Sequence, residues 1–312
     1  MTSGRTYRRP MILDRPLLGV LLTVAFCAIA PIGDSLAKIL GNTIPLLELL
    51  CVRFAAQTVL LVPLLAALGI PIALPSRILG LAALRTALQL AGIAAMFAAL
   101  RYLPLADAVA IAFVMPFILL LLARYLLDEE VGPRRLAACA VGFAGTLLVV
   151  QPSFAEVGAP ALLPFVVAIV FALYMLVSRR IAKEADPLAL QAMSGLMATP
   201  VLVAALVLGW SAGWPGFEVK VPEAGESAML AALGVVGTLA HLLMTWSLRF
   251  APASTLAPIQ YLEIPFATIV GFIIFGDLPN GMAAVGIVIT IAAGLYVVYR
   301  ERRNAETVPA EV

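Results

Sequence analysis

The chain of 312 residues is 63% hydrophobic and 12% charged, with a mean hydropathy of +1.06. A soluble domain carries about 25% charged residues, so a water-facing globule is excluded, and a net charge of +2 is too small to mark a nucleic-acid-binding surface. The polar residues gather in short islands between apolar runs, the pattern of an all-α polytopic membrane protein in a lipid bilayer.

A basic N-terminus, residues 1–16 with Arg5, Arg8, Arg9 and Arg15, precedes the first apolar run. Ala28-Ile29-Ala30 resembles a signal cleavage site, but the run continues to Ala37 and Pro31 follows at once, so an uncleaved first span is predicted at 17–37. Further spans are predicted at 44–67, 78–99, 105–125, 134–151, 160–179, 188–209, 228–249, 253–275 and 281–299. Turn residues separate them: Gly41-Asn42, Gly69 with Pro71, Leu103-Pro104, Gly132-Pro133, Pro152-Ser153, Asp186-Pro187 and Pro279-Asn280-Gly281. The stretch 210–227 is the one long loop, with Trp210 and Trp214 suited to an interfacial belt. Alternate connections hold fifteen Lys and Arg on the side of the N-terminus against three on the other (Lys38, Arg101 and Lys220). This positive-inside bias puts both termini, including the tail 300–312, in the cytoplasm of a cell whose inner membrane the chain spans.

Ionisable groups inside the spans are few, and each costs about 2.5–3.5 kcal/mol at the bilayer centre, which makes them functional candidates. Asp34 and Lys38 are four residues apart and predict a local interfacial pair. Glu48 and Arg53, in the outer half of the second span, suit either a structural ion pair or a site. Arg85 shares a helix face with Gln89, while Ala87, Ala91, Ala95 and Ala99 form a small-residue stripe on another face. If that stripe packs on a helix, Arg85 and Gln89 face a central cavity; the alternative is an Arg that snorkels to the cytoplasmic interface. His241, with Thr238 and Thr245 nearby, reads as a buried hydrogen-bonded residue or as a proton relay. Glu263 lies near the middle of the ninth span, with Gln260 and Tyr261 beside it and Pro258 and Pro265 on either side. The two prolines release the carbonyls of Ser254 and Tyr261, which need other partners in a membrane. A carboxylate beside loosened backbone suits a substrate or proton site; the alternative is a structural pair, for instance with Arg85. Tyr174, Met115, Met175, Trp246 and Phe113 are candidate apolar lining. Cys27, Cys51 and Cys139 lie within apolar runs as packing residues, and nothing in the sequence calls for a metal or a cofactor.

The two halves match. Arg101, Tyr102 and Pro104 fall on Arg249, Phe250 and Pro252 at an offset of 148, and Pro116, Phe117, Asp128, Gly132 and Gly145 on Pro265, Phe266, Asp277, Gly281 and Gly294 at 149. Met115 falls at or beside the position of Glu263, so the proline is repeated and the carboxylate is not. Five spans per repeat invert the second copy, giving a first repeat at 17–153 and a second at 160–299. Inverted repeats place a site at their midplane interface and support alternating access, as in secondary transporters.

The segments LRYLPLADAVAI, RYLLDEEVGPRRLAACAVGFAGTLLV, HLLMTWSLRFAPASTLAPIQYLEIPFATIVGFIIFGDLP and GIVITIAAGLYVVYRER resemble the EamA-type ten-helix branch of the drug/metabolite transporter superfamily, over about residues 17–301. The region 237–301 is most similar to members described as S-adenosylmethionine uptake or riboflavin transporters. The resemblance implies a proton-coupled or exchange transporter of a small polar metabolite, acting as monomer or homodimer, with amino-acid or drug export as the alternative. No G-x-x-x-x-G-K-[ST] motif occurs. A membrane-embedded enzyme has only the run Asp128-Glu129-Glu130 beside Arg134 and Arg135 to draw on, without His or Cys, and a passive channel is the remaining rival.

Overall fold

The computed structural model describes residues 15–129, 131–149, 158–276 and 281–307. The rest of the basic N-terminus, Glu130, the Pro152-Ser153 turn, Asp277 to Asn280 and the tail from 308 lie outside the described residues. Among the described residues all regular structure is helical: α1 Pro16–Leu40, α2 Leu46–Leu68, α3 Ser76–Ala99, α4 Leu105–Ala112, α5 Met115–Leu126, α6 Pro133–Val149, α7 Leu163–Ile181, α8 Pro187–Ser211, α9 Ala224–Phe250, α10 Ala253–Leu256, α11 Glu263–Phe275 and α12 Gly281–Thr307. Short 3₁₀ turns at Ala159–Leu162 and Ala257–Leu262 precede α7 and α11.

Local chemistry sets these boundaries. Prolines open α1 and α8 in the first turn, where their missing N–H costs nothing. Asp186 caps α8 by accepting from the Leu188 amide at 2.9 Å. Glu223 and Glu226 form a reciprocal capping box at the start of α9. Gly69 ends α2 in the left-handed conformation, φ +66°, where a side chain would strain the backbone.

Helices occupy all ten predicted segments. Eight segments are long and apolar enough to cross a membrane, among them the paired pieces Leu105–Leu126 and Ala253–Phe275. The other two are shorter: α6 has 17 residues, and the apolar part of α12 runs over Ala284–Tyr296. The fourth and ninth segments, predicted as continuous, are broken. Phe113 and Val114 separate α4 from α5, with Pro116 in the first turn of α5. The 3₁₀ turn Ala257–Leu262, with Pro258 as its second residue, separates α10 from α11. A proline cannot donate to the carbonyl four residues back, so both breaks fall where the α-helical ladder loses a rung.

The packing is paired across the halves. Helix α1 lies on α9 and α11, as α7 lies on α3 and α5; α2 packs on α8 and α9, and α6 on α12. At one end the Arg15 amide donates to Phe250 O at 2.8 Å, so the start of α1 meets the end of α9. There Arg179 donates to Leu248 O at 2.8 Å and pairs with Glu129 at 3.3 Å. Glu129 in turn accepts from the amides of Ala253 and Ser254 at 3.1 and 2.9 Å, capping α10. At the other end of α1, Lys38 donates to Leu103 O at 2.6 Å and Leu100 O at 3.3 Å, beyond the end of α3. The predicted Asp34–Lys38 pair therefore does not form: the longer Lys38 side chain reaches carbonyls that α3 leaves without intrahelical donors.

Gly142 of α6 faces the ring of Tyr261, into which an added Cβ would project. Gly142→Ala is expected to destabilise the protein by about 1–3 kcal/mol through overpacking. Gly80→Ala, where a Cβ meets nothing within 4 Å, leaves stability unchanged or slightly raised. Melting of the two variants in detergent distinguishes them.

Candidate functional site

A cavity of about 100 Å³, with room for several waters, lies between the two broken segments. Its walls come from α1 (Phe26, Asp34), α2 (Arg53), α3 (Met96, Phe97), the α4–α5 break (Phe113, Met115), α7 (Phe171), α9 (Gly237, His241) and α11 (Glu263). Most of the lining is apolar or aromatic, and the charged groups fall into two sets.

The acidic set lies where α1 packs on α11. Glu263 is the first residue of α11 and is buried. The 3₁₀ turn runs straight into α11, and the Glu263 amide donates to Gln260 O within it, so the helix does not start afresh at the carboxylate. Asp34 lines the same cavity, and neither carboxylate has a hydrogen-bond or ion-pair partner among the described residues. The Cys27 thiol, also near Glu263, donates to the carbonyls of Ile259 and Gln260 at 3.9 and 3.8 Å. This residue, predicted only to pack, shares its one weak S–H donor between two carbonyls of the 3₁₀ turn.

The basic set lies where α2 packs on α9. Arg53 is 1% exposed and makes three long hydrogen bonds, to Gln57 Oε1 at 3.2 Å, Thr238 Oγ1 at 3.4 Å and His241 Nδ1 at 3.3 Å. A Cβ at Gly237 would occupy the space of its guanidinium, so Gly237 is the notch that admits Arg53 to the cavity wall. His241 Nδ1 also lies 3.2 Å from Gly237 O, and its Nε2 is buried without a protein partner. The imidazole sits edge-on to Phe171 and Tyr174, 5.9 and 6.0 Å between ring centres. Where Nδ1 accepts from Arg53, the ring proton is on Nε2 and needs an acceptor.

Arg85 is arranged differently. It is fully buried outside the cavity wall, in a cage of neutral oxygens from three helices. It donates to Ser178 at 2.9 Å, Ser194 at 2.7 Å, and Tyr174, Gln191 and Thr245 at 2.8 Å each, with Tyr174's ring 4.8 Å from the guanidinium. It neither faces the cavity nor snorkels, and no ion pair joins it to Glu263. The alanine stripe splits: Ala87 and Ala91 are exposed while Ala95 and Ala99 are buried, and level with the exposed half the Arg85 face makes the helix contact, because the polar partners lie on α7, α8 and α9.

Of the remaining predicted residues, Met115 lines the cavity as the first residue of α5. Tyr174 is buried between Arg85 and His241. Gln89 is fully buried one turn from Arg85, and neither amide atom has a protein partner. Gln260 donates to Met175 Sδ at 3.2 Å, and Tyr261 packs against Phe113, ring centres 5.8 Å apart; both lie behind the cavity wall. Trp246 packs in a separate apolar cluster with Leu61, Leu65 and Leu188. Glu48 accepts from the Lys220 amide at 3.0 Å and pins the long loop. Sequence reasoning took Asp34 for half of an interfacial pair and left Arg53 open between a structural ion pair and a site. Gly237, four residues before His241 on the same helix face, was the available sign of a notch there.

A sequence model of the EamA-like transporter family matches residues 17–151 and again 159–300. The riboflavin transporter of Rhizobium johnstonii is 29% identical over 72% of this chain and 76% of its own length. The S-adenosylmethionine uptake transporter of Rickettsia prowazekii is 24% identical over 88% of this chain and 90% of its own. One crystal structure superposes with a TM-score of 0.70 over 92% of this chain and 98% of the other at 19% identity, a likeness of fold alone.

Proposed function

The chain belongs to the EamA-like transporter family, and from that premise we propose that it is a secondary active carrier with ten membrane-spanning helices, working by alternating access. It transports a small metabolite and is not an enzyme. The observation that carries the mechanism is the central cavity, bounded by helix breaks from both halves and holding buried Glu263 and half-buried Asp34, neither paired among the described residues.

Several features support two inverted five-helix repeats, 17–153 and 160–299. The family model matches twice. The packing partners exchange when the halves are exchanged. Pro104 and Pro252, 148 residues apart, precede α4 and α10 with nearly the same backbone, φ −55° and ψ 149° against φ −58° and ψ 146°. Lys38 holds Leu100 O at one end of α1, and Arg179 holds Leu248 O at the other, again 148 apart. Release of one end contact while the other holds lets one half rock on the other and open the cavity to one side. The Lys and Arg distribution supports cytoplasmic termini in the inner membrane. The solute is a nucleoside-type cofactor such as S-adenosylmethionine, or riboflavin, and exchange with a proton or a second solute at Glu263 drives it.

Counterflow in proteoliposomes tests this. Vesicles preloaded with S-adenosylmethionine or with riboflavin are expected to take up the same labelled solute several-fold faster than empty vesicles. A passive channel equilibrates at the same rate in both cases, and that result overturns the carrier.

A further inference from the structure

The cavity contains opposite charges that do not neutralise each other. Asp34 and Glu263 share the wall where α1 meets α11, while Arg53 and His241 share the wall where α2 meets α9. Among the described residues no ion pair joins either acid to either base. In a membrane interior such groups are costly unless paired, and here each set keeps its pairing capacity for something absent.

The two buried arginines show that this is selective. Arg85 spends its donors on five short bonds to neutral oxygens. Arg53 has three bonds of 3.2–3.4 Å, and both it and His241, whose Nε2 lacks a partner, line the cavity. A guanidinium has five N–H donors in a planar fork that matches a carboxylate. The same cavity is lined by Phe26, Phe97, Phe113 and Phe171, aromatic surface suited to a flat apolar body.

We propose that the cavity is a charge-separated site for a zwitterion with an aromatic body, whose cation binds between Asp34 and Glu263 and whose carboxylate binds Arg53 and His241. This rests on the transporter reading and narrows its solute: an amino-acid-bearing sulfonium or ammonium compound satisfies both walls, whereas a neutral flavin leaves both unpaired. A buried polar group without its partner is what makes such sites reject the analogue lacking it.

The test is equilibrium binding to the purified full chain in nanodiscs, with two probe series that first delete the carboxylate alone; the S-adenosylmethionine series then removes both cations together, and the phenylalanine series removes the ammonium separately. The first is S-adenosylmethionine, its decarboxylated form and neutral methylthioadenosine; the second is phenylalanine, phenethylamine and 3-phenylpropionate. At least one zwitterion is expected to bind about 30-fold or more tightly than its charge-deleted partners, the scale of losing one buried charged contact. Asp34→Asn is expected to weaken the zwitterion and its decarboxylated form alike. Arg53→Gln is expected to weaken the zwitterion about tenfold or more and leave the decarboxylated form unchanged. If Arg53→Gln does not fold, Arg53→Lys and the wild-type series decide without it. Equal binding within both series, tighter binding of riboflavin than of any zwitterion, or equal weakening of both forms by Arg53→Gln overturns the proposal. Riboflavin counterflow alongside any of those results leaves the carrier standing without its zwitterion site, and absence of counterflow with a zwitterion bound selectively leaves the site without the carrier.

Discussion

Replacing Glu263 with Gln is expected to leave the protein folded and to stop transport. The substitution keeps the size of the side chain and removes its charge, and no partner among the described residues depends on that charge. Melting in detergent should therefore stay within about 0.5 kcal/mol of the parent, the range of substitutions that break no named contact. Transport is another matter. Removing one member of a buried charged contact costs about 2–5 kcal/mol, a loss of about 30-fold or more in affinity. The pH dependence of uptake should also flatten. The groups around Glu263 are Asp34 and Cys27 on α1, apolar Val109 and Ala112 on α4, and Arg53 and His241 on the walls from α2 and α9. If uptake keeps its slope against pH in Glu263→Gln and loses it in Asp34→Asn, then Asp34 and not Glu263 is the coupling group. Unchanged uptake with unchanged pH dependence removes Glu263 from the mechanism.

The place of Glu263 on the cavity wall was legible in the sequence because its signal is local: a carboxylate between two prolines in an apolar run, absent from the matching run around Met115. The helices and their ends were legible for the same reason, since Pro, Gly and Asp at the boundaries act through their own turn. The breaks at Phe113–Val114 and Ala257–Leu262 followed from prolines already noted, although both segments read as unbroken spans. The partners of the long polar side chains were not legible. Spacing four apart suggests that Asp34 meets Lys38, but Lys38 finds carbonyls 62 and 65 residues away. The donors of Arg85 end on residues 89 to 160 positions downstream. Periodicity shows which residues share a helix face, but which neighbour that face meets is decided by tertiary packing. The alanine stripe of α3 is the clearest case: its spacing suits a close helix contact along its length, yet only Ala95 and Ala99 are buried, and beside Arg85 the polar cage on the other face orients the helix.

Arg85→Met is expected to give the opposite phenotype to Glu263→Gln. Two effects compete. A guanidinium without a carboxylate partner is expensive to bury, so removing it recovers part of that cost. Against this, Gln191 Oε1 and the Tyr174 hydroxyl lose the donor they accept from, at about 1–3 kcal/mol for each orphaned buried group. The serines and Thr245 suffer less, because a hydroxyl can turn to a backbone carbonyl one turn back, as Thr245 already does with His241 O at 2.7 Å. The hydrogen bonds should win, because all five are short and together they tie α3 to α7, α8 and α9. A net loss of about 2–4 kcal/mol follows, with a clear fall in melting temperature in detergent. Arg85→Lys should do no better: it keeps the charge to be buried but replaces a planar five-donor fork with a single ammonium that cannot reach all three helices. Transport per folded molecule should survive in both variants if Arg85 only holds the wall behind the cavity. A lysine variant with the parent's melting temperature would show that charge alone suffices, and a methionine variant that folds normally but no longer transports would move Arg85 from the scaffold into the solute path.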